Sequence, residues 1–290
     1  MWLIVGANGQ LGRCLSNELQ KQGEEFLACS HSELDITNAP QVNQFFSKRA
    51  IATVVNCAAW TAVDDAEDNE AQALKVNCEG PRNLALAAKR SNSRLIQIST
   101  DYVFSGDATT PYTVETSTSP LNAYGRTKLQ GDEAVLEIGA GTFPVVRTAW
   151  LYSRFGKNFA KTMASRALQD LPVRVVNDQI GQPTSAVDLA RLIIEIAQQS
   201  NPPSIIHGTN SEQATWFEFA REIYKLLNVD VELVSPVTSS EFPTRAKRPS
   251  YSVLDHSELI GTGISEMRTW QEALSDEMPF IREAVLSELK

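Results

Sequence analysis

Apolar and polar positions follow two different periods along the first half of the 290-residue chain. The runs Trp2-Leu3-Ile4-Val5, Phe26-Leu27-Ala28-Cys29, Thr53-Val54-Val55-Asn56 and Leu95-Ile96-Gln97-Ile98 are short and nearly continuous in apolar character. That pattern predicts strands covered on both faces, as in a parallel sheet. Between them, apolar residues recur every three or four positions, at Leu11, Leu15 and Leu19 and again at Val42, Phe45 and Phe46. Such spacing gathers them on one face of a helix. Thr37-Asn38-Ala39-Pro40 supplies a cap and a first-turn proline for the second of these helices. A third helix is predicted from about Asn69 to Arg90, with Asn77 at its centre, where asparagine is not intrinsically favoured. Strand and helix in alternation predict an α/β fold on a doubly wound parallel sheet.

Val145-Val146-Arg147-Thr148-Ala149-Trp150-Leu151-Tyr152 is read as the next strand, and beyond it the alternation loosens. Asn158 to Met163 starts a helix, Val173 to Val176 is a strand, and a helix from about Ala186 to Gln199 precedes the strand Ile205-Ile206-His207. Thr215 caps an amphipathic helix carrying Phe217, Phe219, Ala220, Ile223, Leu226 and Leu227, and Val229 to Val234 alternates as a strand. The expected division is a first domain over residues 1–150, with a segment near 180–208 returning to it, and a smaller α/β lobe over most of 151–290.

Composition narrows the function classes. Hydrophobic residues make up 42% and charged residues 21%, which is ordinary for a globular protein. A formal charge of −9 argues against nucleic acid as a partner, since phosphate backbones select basic faces. No run of about 18 apolar residues predicts a membrane span. The amino terminus enters an apolar strand without a basic region, so no secretion signal is expected. Cys14, Cys29, Cys57 and Cys78 lack metal or disulfide spacing and predict reduced thiols in a cytoplasmic protein. His31, His207 and His256 are far apart in sequence, and no metal site is expected.

Three stretches carry candidate chemistry. Gly6-Ala7-Asn8-Gly9-Gln10-Leu11-Gly12 joins the first strand to the first helix, the context in which a glycine turn holds a dinucleotide. Gly6 permits the tight turn, Gly9 lets backbone approach a pyrophosphate, and Gly12 lets the helix pack on the strand. The free N–H groups at the helix start then hold the anion. The second strand ends at Ser30-His31-Ser32 without an acid to bind a ribose 2′-hydroxyl, which favours NADP over NAD, with Ser30 and His31 as donors to the 2′-phosphate.

The second stretch, Ser99-Thr100-Asp101-Tyr102-Val103-Phe104, ends the fourth strand, where ligand crevices of open sheets lie. The third is Ser119-Pro120-Leu121-Asn122-Ala123-Tyr124-Gly125-Arg126-Thr127-Lys128, which puts a phenol and an ammonium on one helix face. A fixed cation beside Tyr124 is expected to lower its pKa toward neutrality and make it a general acid. The basic loop Phe242 to Pro249, including Arg248, reads as either a solvated loop or a clamp for substrate phosphate.

These motifs, together with Arg147 to Tyr152, Asn158 to Met163 and Asp178-Gln179-Ile180-Gly181-Gln182-Pro183-Thr184, resemble the extended short-chain dehydrogenase/reductases of Rossmann fold. Within them the chain is similar, over nearly its whole length, to the dTDP-4-dehydrorhamnose reductases. The resemblance implies NADPH-dependent reduction of the C4 ketone of dTDP-4-dehydro-L-rhamnose, the last step toward a cell-surface sugar donor. It implies Thr100, Tyr124 and Lys128 as the catalytic trio, and Asn8, Gln10, Leu11, Asp35, Ile36, Ala58 and Ala59 as cofactor contacts. Thr61, Val63, Asp101, Tyr102 and Trp150 would line the sugar pocket, and Arg248 would face the diphosphate. Some members pair through a metal held by acids, one of them on the first helix. The matching position is Cys14, which argues against that pairing and leaves a monomer or homodimer. Trp60 stands where other members often carry histidine or tyrosine. The rival readings are another nucleotide-sugar epimerase or reductase, and a non-catalytic NADP-binding regulatory subunit.

Overall fold

In the computed structural model, which describes residues 1–289, chain order alternates strand and helix through the first half. The elements are β1 (Trp2–Val5), α1 (Gln10–Lys21), β2 (Phe26–Cys29), α2 (Ala39–Ser47), β3 (Thr53–Asn56), α3 (Val63–Ala66), α4 (Glu70–Leu74), α5 (Gly80–Arg90), β4 (Arg94–Thr100), α6 (Ala123–Gly139) and β5 (Val145–Thr148). Then come β6 (Leu151–Tyr152), α7 (Phe159–Ala167), β7 (Val173–Val176), β8 (Ile180–Gly181), β9 (Thr184–Ser185), α8 (Ala186–Gln198), β10 (Ile205–His207), β11 (Ala214–Thr215), α9 (Trp216–Leu226), β12 (Val234–Val237) and α10 (Trp270–Glu288).

Six parallel strands form the main sheet in the order β10-β5-β4-β3-β1-β2. The chain moves outward in opposite directions from β1 and β3, so the crevice beyond their carboxyl ends is the place a ligand can enter. Both faces of the sheet are covered. Ile4, Val55, Ile96, Val146 and Ile206 pack under Leu11, Leu15, Leu189 and Ile193 on one side. Leu3, Val5, Val54, Leu95 and Val145 pack under Val42, Phe46 and Leu84 on the other. Neighbouring residues of one strand are thus buried on opposite faces, the reason its sequence is continuously apolar. Each such side chain contributes about 1.5–3 kcal/mol by leaving water.

Beyond β5, a second cluster joins α7, α9 and α10 to β7 and β12 around Tyr152, Phe219, Tyr224, Trp270 and Leu274. Among the described residues, no helix is long and apolar enough to cross a membrane.

Three elements differ from the pattern expected. The predicted helix over 69–90 is interrupted by a π-helical turn at Lys75–Glu79. Its cause is Asn77, whose side chain accepts from Trp60 N at 2.8 Å and donates to Trp60 O and to Thr127 Oγ1. The bulge pushes the Asn77 carbonyl against α6, and the fit depends on Gly131, where a Cβ would lie 2.0 Å from that oxygen.

The predicted strand 145–152 breaks after Thr148, because Trp150 takes a left-handed backbone with φ +45°. Its last two residues form β6 and pair with β9 in a separate ribbon. The predicted strand 229–234 is instead a 3₁₀ turn at Val231–Leu233, started by the Asp230 side chain accepting from Glu232 N, and β12 begins only at Val234.

Candidate active site

The turn after β1 depends on glycine at two places for different reasons. Gly6 has φ +74°, and a Cβ there would lie 2.6 Å from Ala58 N. At Gly12 a Cβ would lie 2.6 Å from Gly6 O, so α1 could not approach the strand. Gly9, the cap residue of α1, offers no side-chain partner to the first N–H groups. They are left for an anion, and the helix dipole favours a negative one.

Two adjoining cavities open over this turn. One, of about 470 Å³, is bordered by Gly6, Asn8, Gly9, Ser30, Asp35, Ile36, Ala58 and Ala59. The other, of about 570 Å³, shares Gly9, Ala58 and Ala59 and continues past Gln10, Leu11, Thr61 and Val63. Its far wall carries Thr100, Asp101, Tyr102, Tyr124, Lys128 and Trp150. The structure therefore gathers all but two of the candidate residues around one continuous groove. Gly12 lies behind the turn as packing, and Arg248 is not among the lining residues, although its charge acts on Tyr102, which is.

Arg248 is paired within the chain. Its guanidinium donates to Asp64 Oδ2 at 2.6 Å, and the neighbouring Ala246 N donates to Asp64 Oδ1 at 2.9 Å. Arg245 pairs with Asp68 in the same way. The acidic start of α3 and its following turn neutralise the basic loop, which is held down further by Asn122 Nδ2 donating to Lys247 O. The loop reads as cationic in sequence because its partners lie some 180 residues away in the chain.

Ser30 is engaged locally. It borders the smaller cavity, but its N–H and hydroxyl both donate to Glu33 Oε2, at 2.8 and 2.6 Å. Those bonds hold the Glu33 carboxyl below its ordinary pKa. An acid three residues downstream thus folds back onto the strand tip that the sequence left uncharged. His31 lies 3.8 Å from Asp35, a second carboxylate at the same edge.

Tyr124 and Lys128 project from the first turns of α6. Asn122 caps the helix by accepting from Gly125 N at 2.9 Å. Gly125 lets the helix press against the strand end, since a Cβ there would lie 2.2 Å from Tyr102 O. Lys128 is 2% exposed and donates to Ile98 O at 2.6 Å. Burial pushes the Lys128 ammonium down, while Asp132 and Cys57 pull it back up.

The expected lowering of the phenol is not found. Burial pushes Tyr124 up, against a smaller downward pull from the Thr100 hydroxyl. The ammonium donates to Ile98 O, so loss of hydration decides the balance. The consequence is a phenol that is protonated at neutral pH, the form a proton donor requires. Asp101, 3% exposed, is pushed up by burial to about 6, with Ser252 and Thr100 hydroxyls opposing. Thr100 Oγ1 donates to Asp101 Oδ1 at 2.9 Å, and Oδ2 has no partner among the described residues.

Sequence reasoning missed several lining residues. Ser99 and Thr148 border the larger cavity from strand ends, and Asn158, Phe159 and Trp216 border it from the second lobe. Trp150 and Trp216 stack at 3.6 Å with planes 9° apart. Gly181 makes room behind them, since a Cβ there would lie 2.5 Å from Trp150 Cε2. Trp216 follows a capping threonine, which marked it as the start of an amphipathic helix and nothing more. Asn158 was visible as a helix start; in addition it donates to Gln10 Oε1 at 2.9 Å, joining the lobes across the groove.

Residues 1–280 match the RmlD substrate binding domain family. The chain belongs to that family. This RmlD-family chain is 44% identical to a probable dTDP-4,6-dihydroxy-2-methyloxan-3-one 4-ketoreductase of Streptomyces antibioticus, over 97% of this chain and 95% of that one. It is 42% identical to a dTDP-4-dehydrorhamnose reductase of Streptomyces griseus, over 96% and 93% of the two chains. Among solved structures, the dTDP-4-dehydrorhamnose reductase of Bacillus anthracis in complex with NADP superimposes with a TM-score of 0.92 at 37% identity, covering 96% and 98%.

Proposed function

We propose that this RmlD-family chain is a dTDP-4-dehydrorhamnose reductase, using NADPH to reduce the C4 ketone of dTDP-4-dehydro-L-rhamnose to dTDP-L-rhamnose. One observation carries the reading: a phenol, an ammonium and a threonine hydroxyl border a single groove that begins at a glycine turn and an uncapped helix. The turn fits a dinucleotide, because the positions where a side chain would collide with backbone are glycines.

When bound, NADPH supplies the hydride. The chain's own residues do the rest. The N–H groups at the start of α1 hold the pyrophosphate, with Gly6, Asn8, Gly9, Gln10, Leu11, Ala58 and Ala59 along its path and Asp35 and Ile36 toward the adenine. Lys128 binds a ribose hydroxyl. Tyr124, protonated at neutral pH, gives its proton to the C4 oxygen as negative charge develops there. Thr100 donates to the same oxygen, and Thr61, Val63, Asp101, Tyr102 and Trp150 shape the sugar pocket. Proton donation of this kind contributes about 10²–10⁴-fold. Residues 1–150 with the segment 180–208 form the cofactor half, and most of 151–290 the substrate half. The chain works as a monomer or homodimer in the cytoplasm, a compartment that suits its four free cysteines.

The test is to supply NADPH with dTDP-4-dehydro-L-rhamnose and follow loss of cofactor absorbance. Steady oxidation is expected. Its absence at micromolar enzyme sinks the reading. The Streptomyces antibioticus relative favours a second reading, the same C4 chemistry on a different dTDP-linked keto sugar. A panel of dTDP- and UDP-4-keto sugars separates the two by kcat/KM.

A further inference from the structure

Both molecules that the groove is read to hold carry a diphosphate, and its walls offer little positive charge to meet one. Among the described residues, the lining of the two cavities includes two lysines and no arginine, beside the acids Asp35 and Asp101. Lys128 is buried and donates to Ile98 O at 2.6 Å. Arg248 is paired with Asp64, and His31 lies against Asp35. Lys157, on the segment between β6 and α7, is the other lysine. It is exposed and borders the larger cavity, and its ammonium makes no ion pair or hydrogen bond among the described residues.

The segment that carries Lys157 is fastened to the glycine turn. Asn158 Nδ2 and Ser153 Oγ both donate to Gln10 Oε1, at 2.9 and 3.2 Å, and Gln10 Nε2 donates to Leu151 O at 3.5 Å. Ser153 closes the segment on itself, its Oγ accepting from Phe155 N at 3.1 Å and its carbonyl from Asn158 Nδ2 at 2.8 Å. Gly156 has φ +64°, and a Cβ there would lie 3.4 Å from Gln10 Cγ. Lys157 is therefore carried against the first residue of α1, the helix whose opening N–H groups have no side-chain cap. An ammonium and a helix dipole border the same cavity, and both favour an anion there.

We propose that Lys157 is the cationic contact of the groove for a diphosphate, that of the dinucleotide before that of the sugar nucleotide, because Gly9 and Gln10 border the same cavity. This rests on the reading of the groove as a dinucleotide site, and the test separates the two. An ammonium acts as a point charge with rotatable donors, so a flexible exposed side chain suffices for the contact.

The experiment measures the Kd of NADPH, NADH and dTDP separately, by fluorescence or calorimetric titration, for the wild type, Lys157→Gln and Lys157→Arg. At low salt Lys157→Gln should weaken NADPH about three- to tenfold, the scale of one charge pair near a surface. NADH should weaken by the same factor, since it shares the diphosphate, and Lys157→Arg should stay within about twofold of the wild type. Near 1 M salt, where the screening length is about 3 Å, the gap should fall below about twofold. A loss seen for dTDP alone, with the same salt dependence, assigns the ammonium to the diphosphate of the sugar nucleotide. Unchanged Kd values for all three overturn the inference. A loss that persists at 1 M salt, or that arginine does not restore, shows a role other than charge and also overturns it. A loss confined to NADPH places Lys157 at the 2′-phosphate and overturns it too. Failure of the wild type to bind NADPH overturns the reading of the groove itself.

Discussion

The two halves of the groove are made of different material. The half over the glycine turn is made of backbone: Gly6, Gly9, Ala58 and Ala59 contribute little beyond their main chain, and α1 contributes uncapped N–H groups. The half toward the second lobe is made of large side chains, with Trp150, Trp216, Phe159 and Tyr102 brought from four separate elements. A backbone-built wall is determined by residues adjacent in sequence, and its requirement, the absence of side chains, is visible as spacing. An aromatic wall is determined by tertiary packing. What it recognises can change with one substitution, while the first half admits almost none.

The sharpest way to break this comparison is at the seam between the halves. Tyr124→Phe should lower kcat by about 10²–10⁴-fold while leaving the NADPH Kd within about twofold, since the hydroxyl donates a proton and does not build the pyrophosphate cradle. Stopped-flow oxidation together with fluorescence titration reads both quantities. A variant at near-full rate would remove Tyr124 from the chemistry.

Asp101→Asn tests the sugar-side wall through stability. The folded-state pKa of Asp101 is raised to about 6 from an ordinary 3.8. The native state therefore holds its proton over a pH range where the unfolded chain has released it. The sign follows: this group's contribution falls as pH rises from about 4 to 6, and the buried carboxylate is a burden above that. At about 1.4 kcal/mol per unit, the wild type carries a penalty of about 3 kcal/mol at pH 7. The asparagine variant should melt higher than the wild type at pH 7, with the difference closing near pH 4. Equal melting temperatures at both values would contradict the burial argument.

Gly6→Ala tests the backbone-built half. Its φ of +74° and the 2.6 Å approach to Ala58 N predict about 1–3 kcal/mol of strain and a parallel loss of NADPH affinity. Trp216→Ala should be milder. Loss of the stacked pair is worth about 0.5–1.5 kcal/mol, so KM for the sugar should rise about three- to tenfold with the NADPH Kd unchanged. If Trp216→Ala harmed cofactor binding as much as Gly6→Ala, the division of labour between the halves would be wrong.

The sequence made legible what is local or strongly periodic. The parallel sheet announced itself because both faces of each strand are buried, and α6 because Asn122 caps it just ahead of Tyr124 and Lys128. What stayed hidden depended on partners distant in the chain. Asn77 bends its helix because Trp60 and Thr127 use up its side chain. Trp150 ends β5 because Trp216 and Gly181 hold its ring, and Arg248 is paired with Asp64, 184 residues earlier in the chain. The direction of the Tyr124 shift was also misjudged from spacing alone. An amine one turn away counts for little once burial outweighs it and a carbonyl holds that amine.

The smallest predicted effect sharpens the comparison most, because it places a side chain in the backbone-built half. Glu33 accepts from both Ser30 donors at the edge of the smaller cavity, and those bonds keep it ionised. A carboxylate at the tip of β2 favours a free ribose 2′-hydroxyl and repels a 2′-phosphate. Glu33 is solvent-exposed, so water and salt weaken the repulsion, and NADPH binding survives it. Glu33→Gln should therefore raise the NADPH-to-NADH ratio of kcat/KM by only about threefold at low salt. The change should come through the NADPH KM, with NADH nearly unaffected, and it should shrink as added salt brings the screening length down to about 3 Å near 1 M. A ratio that does not move would mean that the carboxylate swings clear of the ribose, and that this half of the groove selects its cofactor by main chain alone.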